Sequence, residues 1–521
     1  MTVQTGSLAV INADVRTMDA AGSRYEAVLI RDGVVALVGS TADIQAEAAF
    51  AGAPVIDAEG ATVLPGFVDA HTHLEFSSYS LTHWPNAHTP PLEDLASVAE
   101  VIRQHQRDKP GDDLILVRSS FGMHNKVREG RLFTRAELDA IDAERPLVVA
   151  AGMHVMSLNT PAMRVMGILD MPDTPERVIH RDENGEPSGV VTEIYDRLPA
   201  PRPDAVADAL RAQVVNLSTQ YGVTTVASIA LSPGDSEVFQ EVIEDGVPLR
   251  LRSYVHVPRV MTLDDLIERG VRSSEPIPLA GLAGVKLFLD GQGGDGLDEV
   301  FDDLKWTQGD LDEFLQTATA AGIQVIMHAV TQTGVRLALT AIERTGGGEG
   351  NPLRHRIEHG AEAIDPADIG WAARIGALLL VTPQFLSSTV GEASPVSSLL
   401  RSILDAEVHL FGGTDTTGTV PQGASPLYNI ACTIARPVAP GWQIDERLDF
   451  DTAVRLFTSF AAYAIFEEES RGSLELGKFG DLVILDRPVD TVSDPAEYFD
   501  LRVRTTVFAG REVYRQKEQN A

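Results

Sequence analysis

The sequence predicts a (β/α)8 barrel with a small β-sandwich built from both chain ends and a large insertion after the first barrel strand. Three observations predict it. The middle of the chain alternates apolar β-runs with helical stretches, the rhythm of parallel strands joined by crossover helices. The two ends read instead as short strands separated by turns, which suits one sandwich assembled from both. Residues 75–220, between the first two barrel strands, are too patterned for a loop. The expected division is therefore 1–61 with 467–521 as sandwich, 62–466 as barrel and 75–220 as an insertion subdomain.

Residues 7–62 contain SLAVINADVRTM, AVLIRDGVVALVG and APVIDAEGATV, with Asp-Gly and Glu-Gly turn signals. GSLELGKFGDLVILD (472–486) and VRTTVFAGREVY (503–514) answer them at the far end. The barrel strands are expected at Thr62 to Ala70, Thr224 to Ala230, Arg250 to Val257, Gly284 to Leu289, Gln324 to Met327, Arg356 to Glu358, Ala377 to Thr382 and Val408 to Gly412. Helical patterns intervene, among them Gln308 to Ala321, Gln332 to Thr345, Pro366 to Ile375 and Phe450 to Phe466. Within the insertion, Leu92 to Gln106 and Ala205 to Gln220 read as helices. Asp113 to Ser120, Pro146 to Ala151 and Glu186 to Thr192 read as strands.

Composition narrows the function classes. The 521 residues are 44% hydrophobic and 22% charged, ordinary for a globular protein, and carry a net charge of -33. That balance argues against nucleic acid and anionic membranes, which need basic surfaces. The opening MTVQTGSLAV lacks the basic start and apolar core of a secretory signal, so a cytoplasmic location is expected. There is no apolar run of membrane-spanning length. The single cysteine, Cys432, sits in apolar YNIACTIA and reads as a small core residue. A metal here must therefore be held by His and carboxylate groups.

The stretch VLPGFVDAHTH supplies the first such groups. On a strand, residues i and i+2 share a face, so His71 and His73 project together with Asp69 and Phe67 below. Two histidines alone are structural more often than they are ligands. The other candidate strand ends decide the matter. AGVKLFLD carries Lys286, IQVIMHA ends in His328, RIEHG in His359 and VHLFGGTD in Asp415. An aspartate after Gly-Gly-Thr can simply cap a helix. All of these residues at the C-terminal ends of barrel strands point instead to a metal site.

PGFVDAHTH, VKLFLDG, MHAVTQTGV, RHRIEHG, GGTDT and GSLELGKFGDLVILD, in that order, resemble the amidohydrolase superfamily, in particular amidohydrolase family 3. The resemblance spans nearly the whole chain. It implies a metal-dependent hydrolase of a non-peptide carbon–nitrogen bond, with a small-molecule amide as substrate. His71, His73 and Asp415 would bind the deeper metal and His328 and His359 a second. Lys286 would bridge the two if carboxylated, or stay an amine that makes an ion pair or contacts substrate, and a one-metal site using His328 and His359 or His71 and His73 is the alternative. Zinc suits these ligands, and manganese, iron or cobalt are alternatives. A metal-activated water would attack the amide, with Asp415 as general base and then acid. Asp69 would orient its neighbours on the strand.

His154 and Asn159 match a family motif in the insertion and are expected at the substrate, and Glu193 matches a further family glutamate near the site. Gln292 stands in GQGGDG, where relatives often have Gly-Ser-Leu-Gly, and is expected to bear on specificity. Residues 385–402 are expected to form a lid, and His124, His256 and His355 are read as structural. Cyclic amides are an alternative substrate class. Deamination is disfavoured because Thr331 occupies the place of the glutamate that aminohydrolases carry three residues after the fifth-strand histidine. A phosphotriesterase activity and a non-catalytic, regulatory metal-binding role complete the alternatives, and a homodimer is compatible with the resemblance. Metal analysis of the purified protein is expected to find one or two divalent ions per chain.

Overall fold

The computed structural model describes residues 4–172, 178–291, 304–346, 350–387, 399–416, 420–435 and 446–517. Its largest sheet has eight parallel strands: β1 (Phe67–Thr72), β2 (Val223–Ala230), β3 (Arg250–His256), β4 (Ala280–Phe288), β5 (Gln324–His328), β6 (Arg356–Glu358), β7 (Leu378–Val381) and β8 (His409–Gly412). They lie side by side in chain order, each paired to the next. The sheet curls until β8 meets β1, where the Asp415 N–H donates to the His71 carbonyl at 2.8 Å. Gly413 permits this seam, since a Cβ there would lie 2.5 Å from that of His71. The (β/α)8 fold expected from the sequence is thus present.

Alternate residues fill the barrel. Val68, Ala227, Ile229, Ile326, Leu380 and Phe411 form an apolar inner cluster. Polar groups pass through it: the Tyr254 hydroxyl donates to Gln324, and the Arg356 guanidinium lies 4.7 Å from the Phe411 ring centre. Outside, helices such as Gln332–Gly346 bury one apolar side (Val335, Leu339, Ile342) against the strands.

The expected strand Thr62 to Ala70 is two strands. Thr62–Pro65 belongs to the sandwich, parallel to Asp14–Arg16 and antiparallel to Leu482–Leu485, and β1 begins at Phe67. The chain changes sheets at Gly66, where a side chain would collide with Thr224 Oγ1 at 2.5 Å. The Pro65-Gly66 pair is the sequence signal for this break, set between apolar residues that read as one strand. The single helix expected over Phe450 to Phe466 is likewise two, Phe450–Leu456 and Ser459–Ala464.

The sandwich pairs a four-stranded with a six-stranded sheet. Val10, Val28 and Ile30 of the first face Val63, Leu482, Ile484 and Val507 of the second. It docks on the barrel through buried ions. Arg250 on β3 pairs with Asp481 and lies 4.2 and 4.3 Å from the ring centres of Phe479 and Phe508. Arg252 pairs with Glu467, which also holds Arg471 at 2.7 Å.

The insertion forms a five-stranded sheet ordered Ile179–Arg181, Pro187–Thr192, Val155–Leu158, Leu147–Ala151, Ile115–Ser119. Two of these strands, Val155–Leu158 and Ile179–Arg181, carry no clear alternation and go unread in the sequence. The first makes a hairpin with Leu147–Ala151, turned by Gly152 at φ 83°, and places His154 at its tip. Among the described residues no helix is long and apolar enough to cross a membrane.

Asp481→Ala would leave the Arg250 cation buried without its partner. We expect a stability loss of about 3–5 kcal/mol, measured by urea denaturation.

Candidate active site

Polar side chains converge at the C-terminal mouth of the barrel. His71 ends β1 and His73 follows it, with ring centres 5.5 Å apart. His359 lies 5.1 Å from His71 and 5.0 Å from His328, and His154 reaches down to 5.6 Å from His328. Asp415 Oδ1 lies 3.4 Å from His73 Nε2 and 3.9 Å from His71 Nε2. Ligand atoms about 2.1 Å from a tetrahedral metal are spaced about 3.4 Å from one another. Ligand atoms of His71, His73 and Asp415 all lie within 4.8 Å of one another, so this trio fits one ion. His71 Nε2 and His328 Nε2 are buried without hydrogen-bond partners, as lone pairs awaiting an ion would be.

The electrostatics favour metal binding. Burial, with the Lys286 charge nearby, holds His73 at a pKa of about 3. Burial likewise pushes His71, His328 and His359 well below the ordinary value, with Lys286 contributing each time. All four imidazoles are therefore neutral, the form that ligates. Lys286 is 1% exposed, and burial first lowers its own pKa to about 8. Its Nζ lies 5.0 Å from the Phe288 ring centre.

Behind the histidines stands a group the sequence reading missed. His71 Nδ1 hydrogen-bonds Glu358, which accepts two bonds of 2.8 Å from Arg356. A carboxylate accepts, so Nδ1 carries the proton and Nε2 is left for a metal. Arg356 also donates to the Ala70 carbonyl at 2.8 Å. A signal existed. RHRIEHG puts Arg356 and Glu358 two apart on a short buried strand, where two charges must find each other.

Asp69 turns out to serve the other side of the seam. Its Oδ1 accepts from the Thr414 N–H at 2.8 Å and its Oδ2 from the Thr414 hydroxyl at 2.5 Å, with only a 3.4 Å contact to the His71 N–H. It therefore holds the loop that presents Asp415, which itself adopts φ 46°. The pairing of β1 with β2 also shifts register between Asp69 and Thr72, so simple alternation does not run the length of β1.

Asn159 requires a correction. Its Oδ1 accepts from the Leu147 and Ala162 N–H groups and its Nδ2 donates to the Asp142 and Arg145 carbonyls, all within 2.8–2.9 Å. It caps the helix Thr160–Val165 and is fully buried, so no hydrogen-bonding capacity remains for a substrate. His154, by contrast, does reach the cluster, and its Nδ1 bonds Glu193 Oε1 at 2.7 Å. Glu193 Oε2 in turn lies 3.5 Å from Lys305.

Gln292 lies outside the described residues, as do residues 388–398 of the expected lid. From that segment's start, Phe385 stacks on His359 and on Phe121 of the insertion, each at 5.6 Å. His355 accepts from the Val325 N–H at 3.0 Å and bonds Thr319 at 2.9 Å, a structural role. Thr331 and the neighbouring N–H groups are held by Asp290, which fixes the start of helix Gln332–Gly346.

Similarity to known proteins agrees with this geometry. The sequence profile of the Amidohydrolase family matches residues 54–514. The chain is 28% identical to N-substituted formamide deformylase of Arthrobacter pascens, over 97% of this chain and 98% of that one. It is 24% identical to Protein LONG AFTER FAR-RED 3 of Arabidopsis thaliana, over 97% and 91% respectively. Among solved structures, a metal-dependent hydrolase from Pyrococcus horikoshii OT3 matches with TM-score 0.69 and 20% identity, covering 98% of this chain and 100% of that one. Zinc-bound atrazine chlorohydrolase TrzN from Arthrobacter aurescens TC1 matches with TM-score 0.56 and 15% identity, over 98% and 95%. The chain belongs to the amidohydrolase family. As a member of that family it is a hydrolase acting on carbon–nitrogen bonds.

Glu358→Ala would strand Arg356 in the barrel interior and release His71 Nδ1. We expect about 3–5 kcal/mol of lost stability in chemical denaturation.

Proposed function

We propose that this site hydrolyses the amide bond of an N-substituted amide, with His71, His73 and Asp415 holding one divalent ion and His328 and His359 a second. The observation that carries the reading is the meeting of His71, His73 and Asp415 within 4.8 Å of one another. The full-length likeness to a protein named for deformylating N-substituted formamides supports the amide class. Neutral nitrogen and carboxylate donors favour zinc.

A divalent ion at such a site supplies a Lewis acid for the carbonyl oxygen and makes a water molecule acidic near neutral pH. The remaining work falls to the chain. Asp415 takes the proton from the attacking water and passes it to the leaving nitrogen. In the metal-free protein burial raises its pKa to about 6, opposed by the Lys286 charge. Lys286 is buried with a lowered pKa, the condition under which a lysine is available as an amine for carboxylation. Its carbamate would offer two oxygens between the two ions. Glu358 fixes the tautomer of His71, and His154, oriented by Glu193, faces the substrate beside His328.

The test is turnover of N-substituted formamides, acyl anilides and cyclic amides by metal-loaded protein. An open-chain N-substituted amide is expected to be the best substrate. Preference for cyclic amides overturns that choice. Asp415→Asn is expected to lower kcat by about 10²–10⁴-fold with metal still bound. Near-normal turnover by that variant would remove Asp415 from the proton path.

A further inference from the structure

Beside the metal cluster lies a second concavity that the chemistry above does not use. It opens between helix Leu74–His83, the loops after β2 and β3, and the insertion. Phe76, Tyr79, Trp84, Met153 and Met156 supply apolar walls. Phe76 and Trp84 meet edge to face at 5.4 Å, forming an aromatic corner. The cavity adjoins the active site through Tyr195, whose ring centre is 6.3 Å from that of Phe288, itself 5.0 Å from His328. Met153, next to His154 at the hairpin tip, borders it as well.

Two polar groups in its wall are unusual. Glu75 is 2% exposed, and only one of its carboxyl oxygens is engaged, by the Ser228 hydroxyl. The other, Oε1, is buried with no hydrogen-bond partner. Across the wall, Arg259 leaves Nη1 buried and likewise unpartnered, while its guanidinium lies 4.8 Å from the Tyr195 ring centre. A buried polar atom without a partner is costly, about 1–3 kcal/mol. One acceptor and one donor left open in a cavity of mainly apolar walls, which Ser232 and Asp235 also line, are the pattern of a binding pocket.

We propose that this cavity receives the nitrogen substituent of the substrate, an aromatic group whose far end carries a hydroxyl. The aromatic walls take the ring, the hydroxyl donates to Glu75 Oε1, and its oxygen accepts from Arg259. A purely hydrocarbon substituent would leave both groups unsatisfied. A site built to bond a hydroxyl discriminates strongly against the analogue that lacks one. The proposal rests on the amide reading for the identity of the ligand, but the cavity binds the released amine whether or not turnover occurs.

That independence gives the test. Binding of 4-hydroxybenzylamine, benzylamine and butylamine to metal-loaded protein is measured by calorimetry. We expect 4-hydroxybenzylamine to bind at least about tenfold more tightly than benzylamine, and benzylamine more tightly than butylamine. Glu75→Leu, which removes the acceptor, should erase most of the difference between the two aromatic amines. Trp84→Ala should weaken both while sparing that difference, and unchanged metal content and melting temperature establish that each variant is folded. Equal binding of the two aromatic amines, or a Glu75→Leu profile like wild type, overturns the proposal. Selective binding with no turnover of any amide upholds the pocket and defeats the amide reading. Amide turnover indifferent to the hydroxyl does the reverse.

Discussion

Two full charges, Arg356 and Glu358, lie two residues apart on one barrel strand with no exposure to solvent. Isolated, either would be intolerable in that interior. Together they bond twice, and each reaches further: Glu358 to His71, Arg356 to the Ala70 carbonyl and the faces of Tyr254 and Phe411. The pair thus ties β6 to β1 across the barrel. It also decides which nitrogen of His71 is free. The orientation of the first histidine, and with it the spacing to His73 and Asp415, depends on this interior ion pair.

A second constraint acts at the seam. β8 and β1 close over a glycine because no side chain fits between Gly413 and His71. Asp69 then holds Thr414 by two bonds, and Asp415 follows in a left-handed conformation with its N–H on the His71 carbonyl. Closure of the barrel and assembly of the trio are one event. The same sheet carries buried cations at its other end, where Arg250 and Arg252 bind the sandwich. Charges inside this barrel therefore hold both its working mouth and its attachment to the second domain.

The insertion contributes by reach. Its sheet sends the hairpin turn at Gly152 over the barrel mouth, bringing His154 beside His328, and Phe121 meets Phe385 above His359. Asn159, at the other end of the same short strand, does none of this. Its amide knots the turn before Leu147 to the helix start after it. The two stand five positions apart in sequence, and a motif that contains both gives no hint that one faces the site and the other the subdomain core.

Much of the fold was legible because each signal was local. Apolar runs of strand length, turn dipeptides and helical patterns mark the eight strands and the two β-rich ends without reference to distant residues. The polar residues at strand ends were legible for the same reason, since a barrel puts its functional groups there. The break at Gly66 was not read, although Pro65-Gly66 marks it, because the apolar residues on both sides suit one strand as well as two. Nor was the duty of Asp69, which shares a strand with His71 yet bonds a loop 345 residues away. By itself the sequence determined the fold class, the family and the set of side chains able to take up a metal. Only the tertiary structure decided which nitrogen His71 offers, that Asn159 is committed to the backbone, and that Glu75 and Arg259 share a cavity. Those are matters of pairing between groups far apart along the chain, and burial alone makes the pairing obligatory.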